Sequence, residues 1–239
     1  MIGTPRVHLR LTDSTNERAK ELAAAGAPHG TLVTADEQSA GRGRQGRAWT
    51  APARSAVLMS LVTRRLSPTL PLAAAVAICD ALPRPGCEIK WPNDIWLERR
   101  KLAGILVEAL PQQGWAVLGI GLNVTTETFP PELADTATSL RLSGIDASSE
   151  SVLADLLVSL DQWLEATDEV VLAAWRKRDA LLGERVRWAG GEGTAAGIDA
   201  GGALIVETEN GRVSLEAGEV HLAVTGRGRA SSQGVDGQL

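Results

Sequence analysis

The chain has 239 residues, 44% of them hydrophobic and 22% charged, an ordinary globular composition with length for one or two domains and a sizeable core. A formal net charge of −5 argues against a general nucleic-acid binder, and the lack of an apolar run of about 18 residues argues against a membrane span. The opening MIGTPRVHLRL has no signal-like apolar stretch, and Cys79 and Cys87 make no disulfide or metal framework, so a cytoplasmic protein with two incidental thiols is expected.

In chain order, VHLRL alternates and predicts a short strand. DSTNERAKELAAAGAPHG predicts a helix, with Ser14 and Glu17 spaced as a capping box and Gly26 at the C-terminal stop. TLVTADE predicts a strand, QSAGRGRQGRAWTAPAR a loop, SAVLMSLVT a buried strand and LPLAAAVAICDAL an apolar helix. CEIKWPNDIWLE, KLAGILVEAL and WAVLGIGLNV predict three successive strands. Their short connections, Glu98 to Lys101 and PQQG, imply antiparallel hairpins. Two helices follow, the first with Leu153, Leu156, Leu157, Leu160, Trp163 and Leu164 on one face. From Glu184 short alternating runs with glycine turns predict a small all-β unit, and the tail from residue 226 has the composition of a disordered segment.

GRGRQGR, Gly41 to Arg47, contains G-x-G-x-x-G, but no helix follows it and Thr50 to Leu70 holds no acidic residue, so a dinucleotide turn is rejected. Three arginines between glycines fit a small anion better: glycine lets the backbone come close, and the guanidinium fork suits phosphate or carboxylate. The plain alternative is a solvated loop whose glycines only turn the chain. KWPNDIWL places Lys90 and Asn93-Asp94 around Trp91-Pro92 in an apolar run, where a proline marks an edge or a bulge. Lys90 either serves a site or pairs with Asp94 and snorkels. Ser14, Thr15 and Asn16 at a helix start either cap it or orient a ligand. Gln38 offers an amide's paired donor and acceptor. Gly119 and Gly121 in GIGLNV permit close approach, and Asn123 either caps that strand or meets a ligand.

Taken in order, DSTN, EQSAGRGRQGRAW, KWPNDIWL, RKLAGILVE, VLGIGLNV and ATSL resemble the biotin–protein ligases, over about residues 7 to 225. The resemblance implies an α+β fold: a mixed β-sheet backed by α-helices, the class II synthetase-like catalytic domain of biotin ligases (1–183), then a small SH3-like β-barrel (184–225). It implies activation of biotin by ATP-Mg²⁺ to biotinyl-5′-AMP and transfer of biotin to a lysine of a biotin carboxyl carrier domain, the usual acceptor belonging to acetyl-CoA carboxylase or a related carboxylase. On the same basis Lys90, Arg42 and Arg44 are the catalytic candidates, Lys90 bridging the biotin carboxylate and the α-phosphate. Ser14, Thr15, Asn16 and Gln38 would face biotin, with Arg42, Gly43, Arg44 and Lys90 also in contact and Gly104, Gly119 and Gly121 lining the slot. The adenylate would meet Gly41, Arg44, Arg47, Trp49, Asn93, Lys101 and Asn123, with Asp94 a weak Mg²⁺ candidate.

Some family members carry an N-terminal winged helix-turn-helix and repress biotin genes. The first strand here begins near Val7, so the single-function form is expected and no DNA-binding role is carried over. Nothing in the sequence calls for a dimer. A lipoate or octanoate transfer enzyme of the same fold and a catalytically idle biotin sensor are the rival readings, disfavoured by GRGRxGR with KWPND and by retention of Lys90 and all three loop arginines.

Overall fold

The computed structural model describes residues 2–82, 86–216 and 218–223. Its larger sheet has seven strands: β1 (Arg6–Thr12), β2 (Leu32–Gln38), β3 (Ala56–Thr63), β4 (Cys87–Lys90), β5 (Asp94–Leu97), β6 (Arg100–Leu110) and β7 (Trp115–Asn123). They are ordered β1-β2-β3-β7-β6-β5-β4. Only β1 and β2 are parallel, because α1 (Thr15–Ala24) carries the chain back between them; β4 to β7 form an antiparallel meander.

The period-2 pattern sorts the two faces. Along β3, Val57, Met59 and Leu61 join the main core, while Val62 packs with Ala19, Ala23, Val33, Trp115 and Val117 under α1. The main core lies beneath α2 (Leu70–Ala81), which is apolar on all sides because it is covered by the sheet and by α3 (Ser149–Trp163) and α4 (Asp168–Arg176). Its run of alanines lets those neighbours approach closely. Of the predicted α3 stripe, Leu153, Leu156, Leu160 and Leu164 are buried, with Leu157 and Trp163 packed at the margin.

Three expectations change. CEIKWPNDIWLE is two strands, β4 and β5, turned back at Trp91-Pro92-Asn93, so Lys90 and Asp94 pair across a hairpin. The capping box at α1 is absent: Ser14 stands at the N-cap without a side-chain cap bond. Glu17 is drawn to Lys20 (2.7 Å) and to Arg42 instead, since two cations outbid one backbone N–H for a carboxylate. The C-terminal unit is a five-stranded antiparallel sheet, β11-β10-β9-β8-β12, of β8 (Arg185–Trp188), β9 (Gly191–Ile198), β10 (Leu204–Thr208), β11 (Gly211–Leu215) and β12 (His221–Leu222). Among the described residues its outer strands do not pair, so no closed barrel forms. The tail from residue 226 lies outside the described residues.

The two sheets share one core: Val186, Ala195, Ile198, Leu204, Val206 and Val220 pack into the cluster beneath the large sheet. Trp91 Nε1 donates to Gly202 O (3.0 Å), Arg99 to Ala180 O (3.2 Å) and Glu184 (2.9 Å), and Arg176 to Ile198 O (3.1 Å). Cys79 and Cys87 are buried free thiols, and the hydrogen bond from one to the other, with burial, pushes the Cys87 thiol far up. Among the described residues no helix is long and apolar enough to cross a membrane.

Candidate active site

Strand register builds the floor of a cavity of about 620 Å³. Leu58, Gly121, Gly104, Asp94 and Lys90 are successive cross-strand partners from β3 to β4, so all five share one face. Ser60, Gly119 and Leu106 form the next rung. The glycines leave that face bare where other groups come down on it. A Cβ on Gly104 would lie 3.1 Å from the Trp49 ring and one on Gly121 would overlap the indole, while one on Gly119 would overlap the Asn16 amide. The neighbours that demand these glycines are therefore Trp49 and Asn16.

The first turn of α1 closes one end. Ser14, Thr15 and Asn16 are all buried. Gln38 Oε1, at the end of β2, accepts from Thr15 N (2.7 Å) and Thr15 Oγ1 (3.0 Å), so the cap of this helix comes from a neighbouring strand. Asn16 Nδ2 donates to Glu108 Oε2 (2.8 Å), and a carboxylate can only accept, which turns Asn16 Oδ1 toward Ser60 Oγ at 2.5 Å. Ser60 Oγ also lies 2.8 Å from Thr15 Oγ1. The result is a fixed array of hydroxyl and amide groups, suited to a flat polar ligand such as a ureido ring.

The glycine–arginine segment is a hairpin, not an open loop. Trp49 N donates to Gly41 O (2.9 Å), Gly43 N to Arg47 O (2.7 Å) and Arg47 N to Arg44 O (3.2 Å). The reversal is made by Gln45 at φ 56° and Gly46 at φ 75°, so the third glycine of GRGRQGR is there for a left-handed turn. The arginines fan outward to three different elements. Arg42 meets Glu17 and lies 3.6 Å from Glu108; Arg44 Nη1 donates to Asn93 Oδ1 (3.2 Å); Arg47 reaches Glu219, just before β12. Burial lowers the pKa of Arg44, Arg47 adds to this, and Asp94 opposes it.

At the far end of the floor, Asp94 binds Lys101 Nζ at 2.6 Å. Among the described residues Lys90 has no ion pair or hydrogen bond; its Nζ lies 5.4 Å from the Trp96 ring centre, whose ring also meets Arg99 at 5.4 Å. Burial pushes the Lys90 pKa down, helped by Lys101 and Arg47 and resisted by Asp94. Asn123, at the end of β7, is buried and donates to Thr138 O (3.1 Å). This tethers the segment 126–138, whose Phe129, Pro130 and Leu133 line the same cavity.

All the ligand-contact and catalytic candidates from the sequence except Gly41 line this one cavity; Gly41 is buried behind it, against Gln38 and the Trp49 carbonyl. Sequence reasoning missed Glu108, Ser60, Trp96 and the segment 218–222. Glu108 was within reach, since it lies two and four residues beyond Leu106 and Gly104 in RKLAGILVE and so shares their face. The segment 218–222 carries no local signal; it arrives from another sheet. Among the described residues no three His, Cys, Asp or Glu side chains gather as a metal cage.

Residues 8–124 match the Biotin/lipoate A/B protein ligase family and residues 181–222 the Biotin protein ligase C terminal domain, which sets the chain among carboxylate-using ligases of one architecture. It is 37% identical to the biotin–[acetyl-CoA-carboxylase] ligase of Mycobacterium tuberculosis, over 87% of this chain and 85% of that protein. It is 32% identical to the bifunctional ligase/repressor BirA of Bacillus spizizenii, over 93% of this chain and 75% of that protein. Among solved structures, the biotin protein ligase from Aquifex aeolicus in complex with biotin and ATP superposes with a TM-score of 0.81 at 28% identity, over 92% of this chain and 99% of that one. The chain belongs to the biotin protein ligase family.

Proposed function

We propose that this chain joins biotin and ATP to give biotinyl-5′-AMP and pyrophosphate, then delivers biotin to a lysine of a biotin carboxyl carrier domain of acetyl-CoA carboxylase or a related carboxylase. The observation that carries the reading is the convergence on one cavity of a fixed amide–hydroxyl array, three arginines and a lysine without an ion-pair partner among the described residues. In the first step a biotin carboxylate oxygen bonds to the α-phosphorus and pyrophosphate leaves. In the second the acceptor amine attacks the anhydride carbonyl, AMP leaves and the amine loses a proton.

The two anions of the first step repel by about 4 kcal/mol at 4 Å for an effective dielectric near 20. Lys90 is the group assigned to offset this: its ammonium is half out of water, so its field is weakly screened, and among the described residues it has no ion-pair partner. Ser14, Thr15, Asn16 and Gln38 hold the ureido ring. Arg42, Arg44 and Arg47 exchange their present partners for phosphate and carboxylate oxygens, and the hairpin shields the anhydride from water. Trp49, seated on Gly104 and Gly121, divides the biotin end from a nucleotide side formed by Asn93, Asn123 and the segment 126–138.

Among the described residues no cluster of His, Cys, Asp or Glu side chains forms a cage for Mg²⁺, and Asp94 pairs with Lys101. Mg²⁺ would supply neutralisation of phosphate charge on the nucleotide side, where Asn93 and Asp94 line the cavity and are the side chains that would hold it. We assign catalysis to residues 1–183, a supporting role to 184–225 and the cytoplasm as the place of work. ATP–pyrophosphate exchange tests the reading: exchange with biotin and not with lipoate or octanoate is expected, and exchange with either of the latter moves the chain to lipoyl chemistry. Biotin binding without exchange would make it a sensor.

A further inference from the structure

At the polar end of the cavity, the hydrogen-bond roles of the side chains are not all free to choose. Asn16 is 4% exposed, and its Oδ1 stands over the floor at the place a Cβ on Gly119 would overlap. Behind it, on β6, Glu108 places Oε2 on Asn16 Nδ2 (2.8 Å) and Oε1 on Lys20 Nζ (3.1 Å), with Arg42 Nη1 3.6 Å from the same Oε1. Lys20 is held in turn by Glu17 at 2.7 Å.

A carboxylate accepts and does not donate, so Asn16 must turn its NH2 toward Glu108 and its Oδ1 away. Oδ1 also only accepts, which draws the single proton of Ser60 Oγ to it at 2.5 Å. Ser60 by itself imposes no such order, because a hydroxyl gives or takes a hydrogen bond equally well and would hold the amide in either sense. On the other side of the array, Thr15 N donates to Gln38 at 2.7 Å, which fixes Oε1 there and leaves Nε2 as the donor end of that amide. The array therefore has a polarity, with an acceptor at Asn16 and a donor at Gln38. A ureido ring has the complement: N–H groups that donate and a carbonyl that accepts.

We propose that Glu108 is a positioning residue that sets the sense of the Asn16 amide, so that the slot offers an acceptor to a ureido N–H and disfavours an acid with no N–H at its far end. The inference rests on biotin being the acid of the proposed function. An octanoyl chain or a dithiolane in the same place would leave a buried acceptor facing carbon, and sites built to hydrogen-bond a group reject analogues that lack it. Lys20 completes the device. Bonded to both Glu17 and Glu108, it keeps the Glu108 carboxylate in place whether Arg42 stays beside it or leaves for a substrate anion.

The test exploits an isosteric change that reverses the roles. In Glu108→Gln the new carbonyl goes to the Lys20 ammonium, so the new NH2 faces Asn16 and turns its amide over. The KM for biotin in ATP–pyrophosphate exchange is expected to rise about tenfold, with kcat at saturating biotin and the KM for ATP changed less than about twofold. Adding Asn16→Asp is expected to bring the KM for biotin back to within about threefold of wild type, because a carboxylate accepts from the glutamine NH2 and again presents an acceptor to the slot. If Glu108 acts through Arg42 and the hairpin, or only supports the fold, the second change restores nothing and the proposal falls. Should Glu108→Gln fold poorly, Asn16→Asp alone sets two carboxylates face to face, and its repair by Glu108→Gln makes the same comparison. NMR of the ligand-free protein with ¹⁵N-labelled asparagine supplies an arm that needs no activity. The Asn16 NH2 protons are expected to contact the Glu108 side chain in wild type and the Ser60 β-protons in Glu108→Gln; unchanged contacts overturn the idea. Wild-type protein without biotin-dependent exchange would sink the functional reading, while the NMR arm would still decide what sets the sense of the amide.

Discussion

Lys90 shows the conflict between folding and function that one side chain can hold. Its ammonium is half-buried against Trp96, and burial drives its pKa down. A lysine whose native pKa is depressed binds fewer protons folded than unfolded between that value and the ordinary 10.5, so stability rises with pH across that window. Below the window the cost of the buried charge is fully present. Lys90→Met is therefore expected to melt higher than wild type at neutral pH, with the advantage shrinking as pH approaches the ordinary lysine value; calorimetry over a pH series checks this. The same variant should lose about 10²- to 10³-fold in adenylation rate, the scale for losing one charge-stabilising group. A residue-scale prediction of another kind concerns Gly119. A methyl group there occupies the place of the Asn16 amide, so Gly119→Ala should break the Glu108–Asn16–Ser60 chain and raise the KM for biotin by tenfold or more, with a smaller change for ATP. Titration of each substrate in the exchange assay separates the two.

At the scale of elements, the arginine hairpin owes its shape to backbone bonds of its own and to one left-handed glycine. Gly46 has open space around its α-carbon, so Gly46→Ala meets no clash and is charged only for φ 75°, about 1 kcal/mol. That is enough to loosen the hairpin about fivefold. Faster escape of biotinyl-5′-AMP is expected in a rapid-quench experiment, with exchange itself less affected. What the sequence told of these elements followed local pattern. The apolar run of SAVLMSLVT, the unbroken apolar run of α2 and the leucine stripe of α3 each read correctly because each is decided by burial of its own residues. The β4–β5 turn did not, because only Trp91, Pro92 and Asn93 separate the two strands and the apolar residues Ile89 and Ile95 stand close on either side. The cap of α1 was equally illegible: Glu17 has the right spacing for a capping box, but its partners Lys20 and Arg42 and the true cap, Gln38, are decided by three-dimensional neighbours. Lys90 and Asp94 were recognised as a possible pair, but Asp94 binds Lys101 instead.

For the molecule as a whole, one core runs under both sheets, and Trp91, Arg99 and Arg176 are among the residues that make polar contacts between them. A single calorimetric unfolding transition is expected, and two resolved transitions would show that the sheets fold independently. The contribution of the C-terminal sheet to the site, through residues 218–222 and the Arg47–Glu219 contact, had no counterpart in any motif, since it depends on how two distant segments come to rest against each other. The bond from Trp91 to Gly202 reaches further than stability. Trp91 adjoins Lys90, so the turn that presents the reactive lysine is fastened to a residue synthesised more than a hundred positions later. A chain broken off before that point leaves the indole without its acceptor and the lysine without its anchor. Unfinished products of translation would thus be poor consumers of ATP, and competence would arrive only with the last strands of the protein.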